Sequence, residues 1–116
     1  MNEQKTKEIF VYVWEYMVKR ETQADFERMY GPQGDWVQLF QKSKGYLGTE
    51  LHHDVSEELR YITADYWVSQ VARDAFRGEF AQEFRELDQQ CETLTEREIF
   101  LGDFVSLSTR RWGEVE

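Results

Sequence analysis

From Arg60 to Leu87 the chain reads RYITADYWVSQVARDAFRGEFAQEFREL, an alternating strand that passes at Ser69 straight into a long amphipathic helix. Period-two alternation places Tyr61, Thr63, Asp65 and Trp67 on one face of the strand and Ile62, Ala64, Tyr66 and Val68 on the other. Both faces carry bulk, so both are expected to be covered. The Ser69 hydroxyl can accept from the free amides of a first helical turn and caps the helix. Beyond it Ala72, Phe76, Phe80, Phe84, Leu87 and Cys91 form one stripe at helical spacing. A helix whose stripe begins one turn after a strand folds back over that strand. Trp67 is then expected at the mouth between sheet and helix, a usual position for a small-molecule site.

The rest of the chain is placed around this unit. From Glu8, EIFVYVWEYMV sets Ile9, Val11, Val13 and Glu15 against Phe10, Tyr12, Trp14 and Tyr16, which reads as a strand in the middle of a sheet. Thr22 and Asp25 resemble a capping box before a helix whose apolar face is Phe26, Met29 and Tyr30. Gly31-Pro32-Gln33-Gly34 interrupts it. Asp35 is expected to cap a second short helix with Trp36, Leu39 and Phe40, ending at Lys44-Gly45. Tyr46 to Val55 reads as a strand that turns at Ser56-Glu57-Glu58 into the strand ending at Trp67. In this hairpin Val55 faces Leu59 and Asp54 faces Arg60, a favourable cross-strand charge pair. Thr95 begins a turn region and Ile99 to Leu107 alternates as a last strand. Residues 1–7 are expected to be frayed, and the tail STRRWGEVE either extends the last strand across a subunit boundary or is loose.

The order strand, helix, strand, strand, helix, strand, with right-handed crossovers, predicts an α+β fold: a ferredoxin-like βαββαβ sandwich in which both helices cover one face of an antiparallel sheet. The other face needs its own cover. A second copy of the chain, packed sheet against sheet as a homodimer, would supply it.

A length of 116 residues corresponds to one domain, with its core between about residues 8 and 107. A net charge of −9 argues against nucleic acid and anionic membrane partners, which are held by clustered Lys and Arg. The lone Cys91 can make no internal disulfide, the start MNEQKTKE has no apolar signal region, and no apolar run is long enough to span a bilayer. A cytoplasmic protein is expected. Eighteen Phe, Tyr and Trp side chains exceed the needs of a small core, leaving some for a ligand cavity or a subunit interface.

GPQGDWVQLF at 31–40, GYLGTEL at 45–51, YITADYWVS at 61–69 and the later LDQQCETLTEREIFLG resemble the antibiotic biosynthesis monooxygenase family of dimeric α+β barrels. Within this resemblance, which spans about Glu8 to Leu107, the Trp-x-Ser of Trp67 and Ser69 is the most telling element. It implies oxygenation of a small electron-rich aromatic, a quinol or an anthrone, by dioxygen without flavin, haem or metal. A substrate that forms a phenolate or carbanion passes an electron to dioxygen itself, and the protein excludes water and places donors where negative charge develops. The alternative is a non-catalytic dimeric barrel that binds a small ligand. A haem-binding relative is disfavoured, because haem enzymes of this fold take a histidine from the second helix and none follows His53 here.

Trp67 is the first catalytic candidate: its indole N–H is a donor, and the matching tryptophan lines the pocket in the family. The plain alternative is a tryptophan packed on the helix. Arg73 is the second. It lies about 60° from Phe76 on the helix, inside the apolar arc, where a guanidinium could hold an anionic oxygen, or equally snorkel or pair with a carboxylate. Asp65, on Trp67's face, becomes a proton acceptor if burial raises its pKa; the ordinary alternative is a bond to a nearby Thr such as Thr49. Tyr12, Trp14 and Phe76 are the candidate substrate-binding aromatics. His52 and His53 point to opposite faces and cannot share a metal, and His53 lies about six residues, or roughly 20 Å, from Trp67 along the strand. No metal site or cofactor motif is expected, and Cys91 reads as core.

Overall fold

A computed structural model describes residues 8–107; residues 1–7 and the tail 108–116 lie outside the described residues. The elements are β1 (Ile9–Val18), α1 (Gln23–Tyr30), α2 (Asp35–Phe40), β2 (Tyr46–His53), β3 (Arg60–Trp67), α3 (Gln70–Glu79), α4 (Ala81–Cys91) and β4 (Thr95–Ser106). The strands form one antiparallel sheet in the order β2-β3-β1-β4. This is the ferredoxin-like α+β arrangement that the element order implies.

The β2–β3 hairpin has the expected register. His53 pairs with Tyr61, and the Asp54 amide donates to the Arg60 carbonyl at 3.0 Å. Arg60 Nη1 donates to Asp54 Oδ2 at 2.8 Å and its Nε to Glu15 Oε2 at 2.9 Å, which ties the turn to the central strand. The strand stops at His53 rather than Val55 because the Asp54 carboxylate accepts from the Ser56 and Glu57 amides and bends the chain. Val55 is left fully exposed.

Helix ends depart from the sequence reading in four places, one of them the end of α2, which stops at Phe40 rather than running to Lys44-Gly45. A 3-10 turn at Arg20–Thr22 leads directly into α1, so the expected capping box does not form; the Thr22 hydroxyl donates instead to the Leu94 carbonyl at 2.8 Å. Asp35 is the first residue of α2, with Gly34 at the capping position, so its carboxylate acts on the helix dipole rather than as a cap. The single long helix is two, α3 and α4, separated at Phe80, two residues after Gly78, whose missing Cβ lowers helix propensity locally. The Ser69 cap does form, its Oγ accepting from the Ala72 amide at 3.0 Å. Gly45 lets α3 approach: a Cβ there would stand 2.5 Å from that of Ala72.

β4 begins at Thr95 rather than Ile99, because pairing continues along β1 as far as Val18. Charged Glu96, Arg97 and Glu98 mask the alternation in sequence, and an edge strand accommodates them. The helices cover the face of the sheet that carries Phe10, Tyr12, Tyr16, Tyr61 and Trp67, packing Phe26, Tyr30, Trp36, Phe40, Phe76 and Leu87 against it. On the opposite face Val11, Ala64 and Tyr66 cluster with Ile9, Val13 and Leu47. Along β4, Ile99, Phe100, Leu101, Phe104 and Val105 are all exposed.

Candidate active site

Between the sheet and the helices lies a cavity of about 290 Å³, near the lower end of the range for small-ligand sites. Its sheet side is built by period-two alternation: Tyr12, Trp14 and Tyr16 from β1 stand beside Asp65 and Thr63 from β3, and Thr49 from β2 pairs with Asp65. Tyr30, Trp36, Phe40 and Phe84 close the helix side, and Arg77, Asp88 and Glu98 complete the lining.

Asp65 is the chemical centre of the cavity. It is buried, and desolvation pushes its pKa from 3.8 up to about 7, against the bond from Thr49 and the field of Arg77, which lower it. Thr49 Oγ1 donates to Asp65 Oδ1 at 2.6 Å. Because the threonine proton is spent on the carboxylate, the Tyr46 hydroxyl, 2.6 Å from Thr49 Oγ1, is the donor in that second bond. A carboxyl group held this way titrates near neutrality and can take a proton from a bound molecule. Arg77 places its guanidinium 5.2 Å from the Tyr12 ring centre and 5.4 Å from that of Phe84, a cation on the cavity wall that favours negative charge on a ligand. Burial raises the hydroxyl pKa values of Tyr12, Tyr16 and Tyr30, so these side chains line the space as neutral groups.

Of the residues singled out in the sequence, Asp65, Tyr12 and Trp14 come together in this cavity. Trp67, Arg73 and Phe76 lie behind its wall. Trp67 is fully buried, not at a mouth between sheet and helix, and packs on Phe40, Tyr46 and Phe76 at ring separations of 5.7, 5.4 and 5.2 Å. Among the described residues its indole N–H has no hydrogen-bond partner. The Arg73 guanidinium lies over the Phe10 and Tyr12 rings and donates to Asp74 at 2.9 Å and Asp103 at 3.4 Å.

Arg77, Asp88 and Glu98 are lining residues that sequence reasoning passed over. Arg77 follows Arg73 by one helical turn, which was a usable signal; Glu98 enters only because β4 starts early. His53 stacks on Tyr61 at 4.3 Å and His52 lies 3.3 Å from Glu50, both exposed. Cys91 is buried in the core. Among the described residues no group of three or more His, Cys, Asp or Glu is placed to hold a metal, and no helix is long and apolar enough to cross a membrane.

No family model and no curated protein matches the sequence. Solved structures do match. A candidate antibiotic biosynthesis monooxygenase from Nitrosomonas europaea superimposes with a TM-score of 0.66 over 92% of this chain and 96% of its own, at 11% identity. A second candidate of that description, from Bordetella bronchiseptica, gives 0.64 over 88% and 98%, at 17% identity. A variant of SnoaB, a cofactor-independent oxygenase from Streptomyces nogalater, gives 0.63 over 87% and 95%, at 19% identity. The chain has the antibiotic biosynthesis monooxygenase fold. In that fold's terms the cavity occupies the space between the sheet and its helix layer, and Asp65 on β3 faces into it from the sheet.

Proposed function

We propose that this protein is a cofactor-independent monooxygenase that oxidises a small electron-rich aromatic, of quinol or anthrone type, in the Asp65 cavity. The observation that carries the reading is a buried carboxyl group with a pKa near 7 inside an aromatic-walled cavity. Fold likeness to SnoaB, a cofactor-independent oxygenase, supports it. Asp65 takes the acidic proton of the substrate, and Arg77 favours the resulting anion. That anion transfers an electron to dioxygen, a carbon–oxygen bond forms, and the proton held by Asp65 returns to the peroxide oxygen to give a hydroperoxide. Loss of the remaining proton from the same carbon, with cleavage of the O–O bond, leaves a carbonyl and releases water. One oxygen atom stays on the product and the substrate supplies all the electrons. Tyr12 and Trp14 flank the ring, while Trp67, Arg73 and Phe76 support the wall from behind. Oxygen uptake with a panel of hydroquinones and anthrones tests the reading, with uptake above the substrate's autoxidation as the expected result. Binding without uptake across the panel would favour a non-catalytic ligand-binding protein.

The working unit in this reading is a homodimer. Its motivation is the strand-only cluster of Val11, Ala64 and Tyr66 and the exposed apolar residues on both faces of edge strand β4. Sedimentation at micromolar concentration is expected to give a dimer, and Phe104→Asp is expected to shift it toward monomer. A wild-type monomer would count against this assembly.

A further inference from the structure

The cavity is chemically lopsided along the strand direction. Asp65 pairs with Tyr12 of β1, and Glu98 pairs with Tyr16 of the same strand. Four residues of extended chain separate the two rows by roughly 13 Å. At the first row the Asp65 carboxyl shares the lining with the Arg77 guanidinium. At the second, Glu98 from β4 and Asp88 from α4 complete the lining as solvent-exposed carboxylates, and partial desolvation first, then the Asp88 charge, raises the pKa of Glu98. Thr95 Oγ1 donates to Glu98 Oε2 at 3.2 Å. Among the described residues no Lys, Arg or His forms an ion pair with Asp88 or Glu98. Between the rows the walls are aromatic rings, Trp14 and Tyr16 on the sheet side and Tyr30 and Trp36 on the helix side. Carboxylates without a cation, beside several ring faces, are the pattern that recognises a protonated amine, through both charge and the ring quadrupoles.

We propose that the ligand of this cavity is an aromatic molecule bearing a protonated amino group, with the ammonium seated between Asp88 and Glu98 and the aromatic nucleus toward Asp65. The inference rests on the reading of this cavity as the ligand site and names the class of molecule that it selects. An amine at the second row neutralises two carboxylates that otherwise repel one another, while a carboxylate on the same framework meets them with like charge. Acidic aromatics are therefore discriminated against, although Arg77 provides a cation at the far end.

A matched set of fluorescent probes tests this in binding alone: 1-naphthylmethylamine, 1-naphthalenemethanol and 1-naphthoate, titrated against the wild type and the Asp88→Asn/Glu98→Gln double variant at pH 7. The wild type is expected to bind the amine about tenfold more tightly than the alcohol, with the naphthoate weakest. In the double variant the gap between amine and alcohol is expected to close. As an independent measurement on the wild type, the gap should narrow as pH falls from 6 to 4, below the titration of Asp65 at about 7, as Asp88 and Glu98 gain protons. Equal affinity for the three probes, tightest binding of the naphthoate, a preference that survives the double substitution, or no binding of any probe would each overturn the proposal. Because oxygen uptake is not the readout, failure here leaves the oxygenase reading standing, and failure of uptake leaves the binding preference standing.

Discussion

Asp65→Asn is expected to abolish most oxygen uptake on any substrate the wild type accepts, by about 10²–10⁴-fold, the usual contribution of a positioned general base. The same substitution is expected to make the protein more stable relative to wild type at pH 8 than at pH 4. Folding raises the Asp65 pKa from 3.8 to about 7, so the folded protein holds this proton more tightly than the unfolded chain does. The stability this contributes is fully present below the unfolded pKa and is lost as pH rises through about 7. Integrated over the shift, the change is on the order of 4 kcal/mol. Asparagine keeps the shape and can still accept the Thr49 bond, but it does not titrate, so the variant lacks that pH slope. Thermal unfolding of both proteins at pH 4, 6 and 8 reads the stability, and the wild-type rate should climb through pH 7 as the carboxylate form is populated. Parallel stability curves for the two proteins would show that Asp65 is not buried as an acid. The residue proposed to carry the chemistry thus costs stability at the pH where it works.

Trp67→Ala should produce the largest loss of stability among single core changes, about 3–5 kcal/mol, lowering Tm on the order of 15 °C. Trp67 is fully buried and touches rings from three elements, Phe40 of α2, Tyr46 of β2 and Phe76 of α3. Removing it opens a void behind Phe40, which is itself part of the cavity wall. Trp67→Phe separates packing from hydrogen bonding. It keeps a ring and deletes an N–H that has no partner among the described residues, so stability is expected to stay within about 1 kcal/mol, the lost ring area and the removed desolvation cost offsetting each other. Its turnover is expected to remain within a few-fold of wild type. A loss of about 10²-fold, typical for deletion of one preorganised donor, would mean that the indole N–H reaches the reacting oxygen after all.

Much of the fold was legible in the residues because local rules and burial agreed. The alternation of β1 and β3, the Ser69 cap and the Asp54–Arg60 pairing each follow from periodicity or from one side chain's donors and acceptors. Where tertiary pairing overrode local pattern, the reading failed. Glu96, Arg97 and Glu98 look like a turn until β1 is present to pair with them, and Thr22 looks like a cap until the Leu94 carbonyl arrives from 72 residues away.

The candidate site divides along the same line. Alternation alone put Asp65 and Trp67 on one face of β3 and Tyr12 and Trp14 on one face of β1, because the period of a strand is a property of its backbone. Which of those side chains borders open space is a property of how the layers meet. Strand pairing set Tyr12 beside Asp65 and Thr49 across from it, and the packing of α2 and α3 onto the end of β3 enclosed Trp67 while leaving Asp65 facing the cavity. The shifted pKa of Asp65 also exists only in the folded chain, since desolvation requires walls contributed by segments far apart in sequence. Residue types and faces were therefore determined by the sequence itself, whereas the cavity, its charges and its proton acceptor were decided by the assembly of sheet and helices.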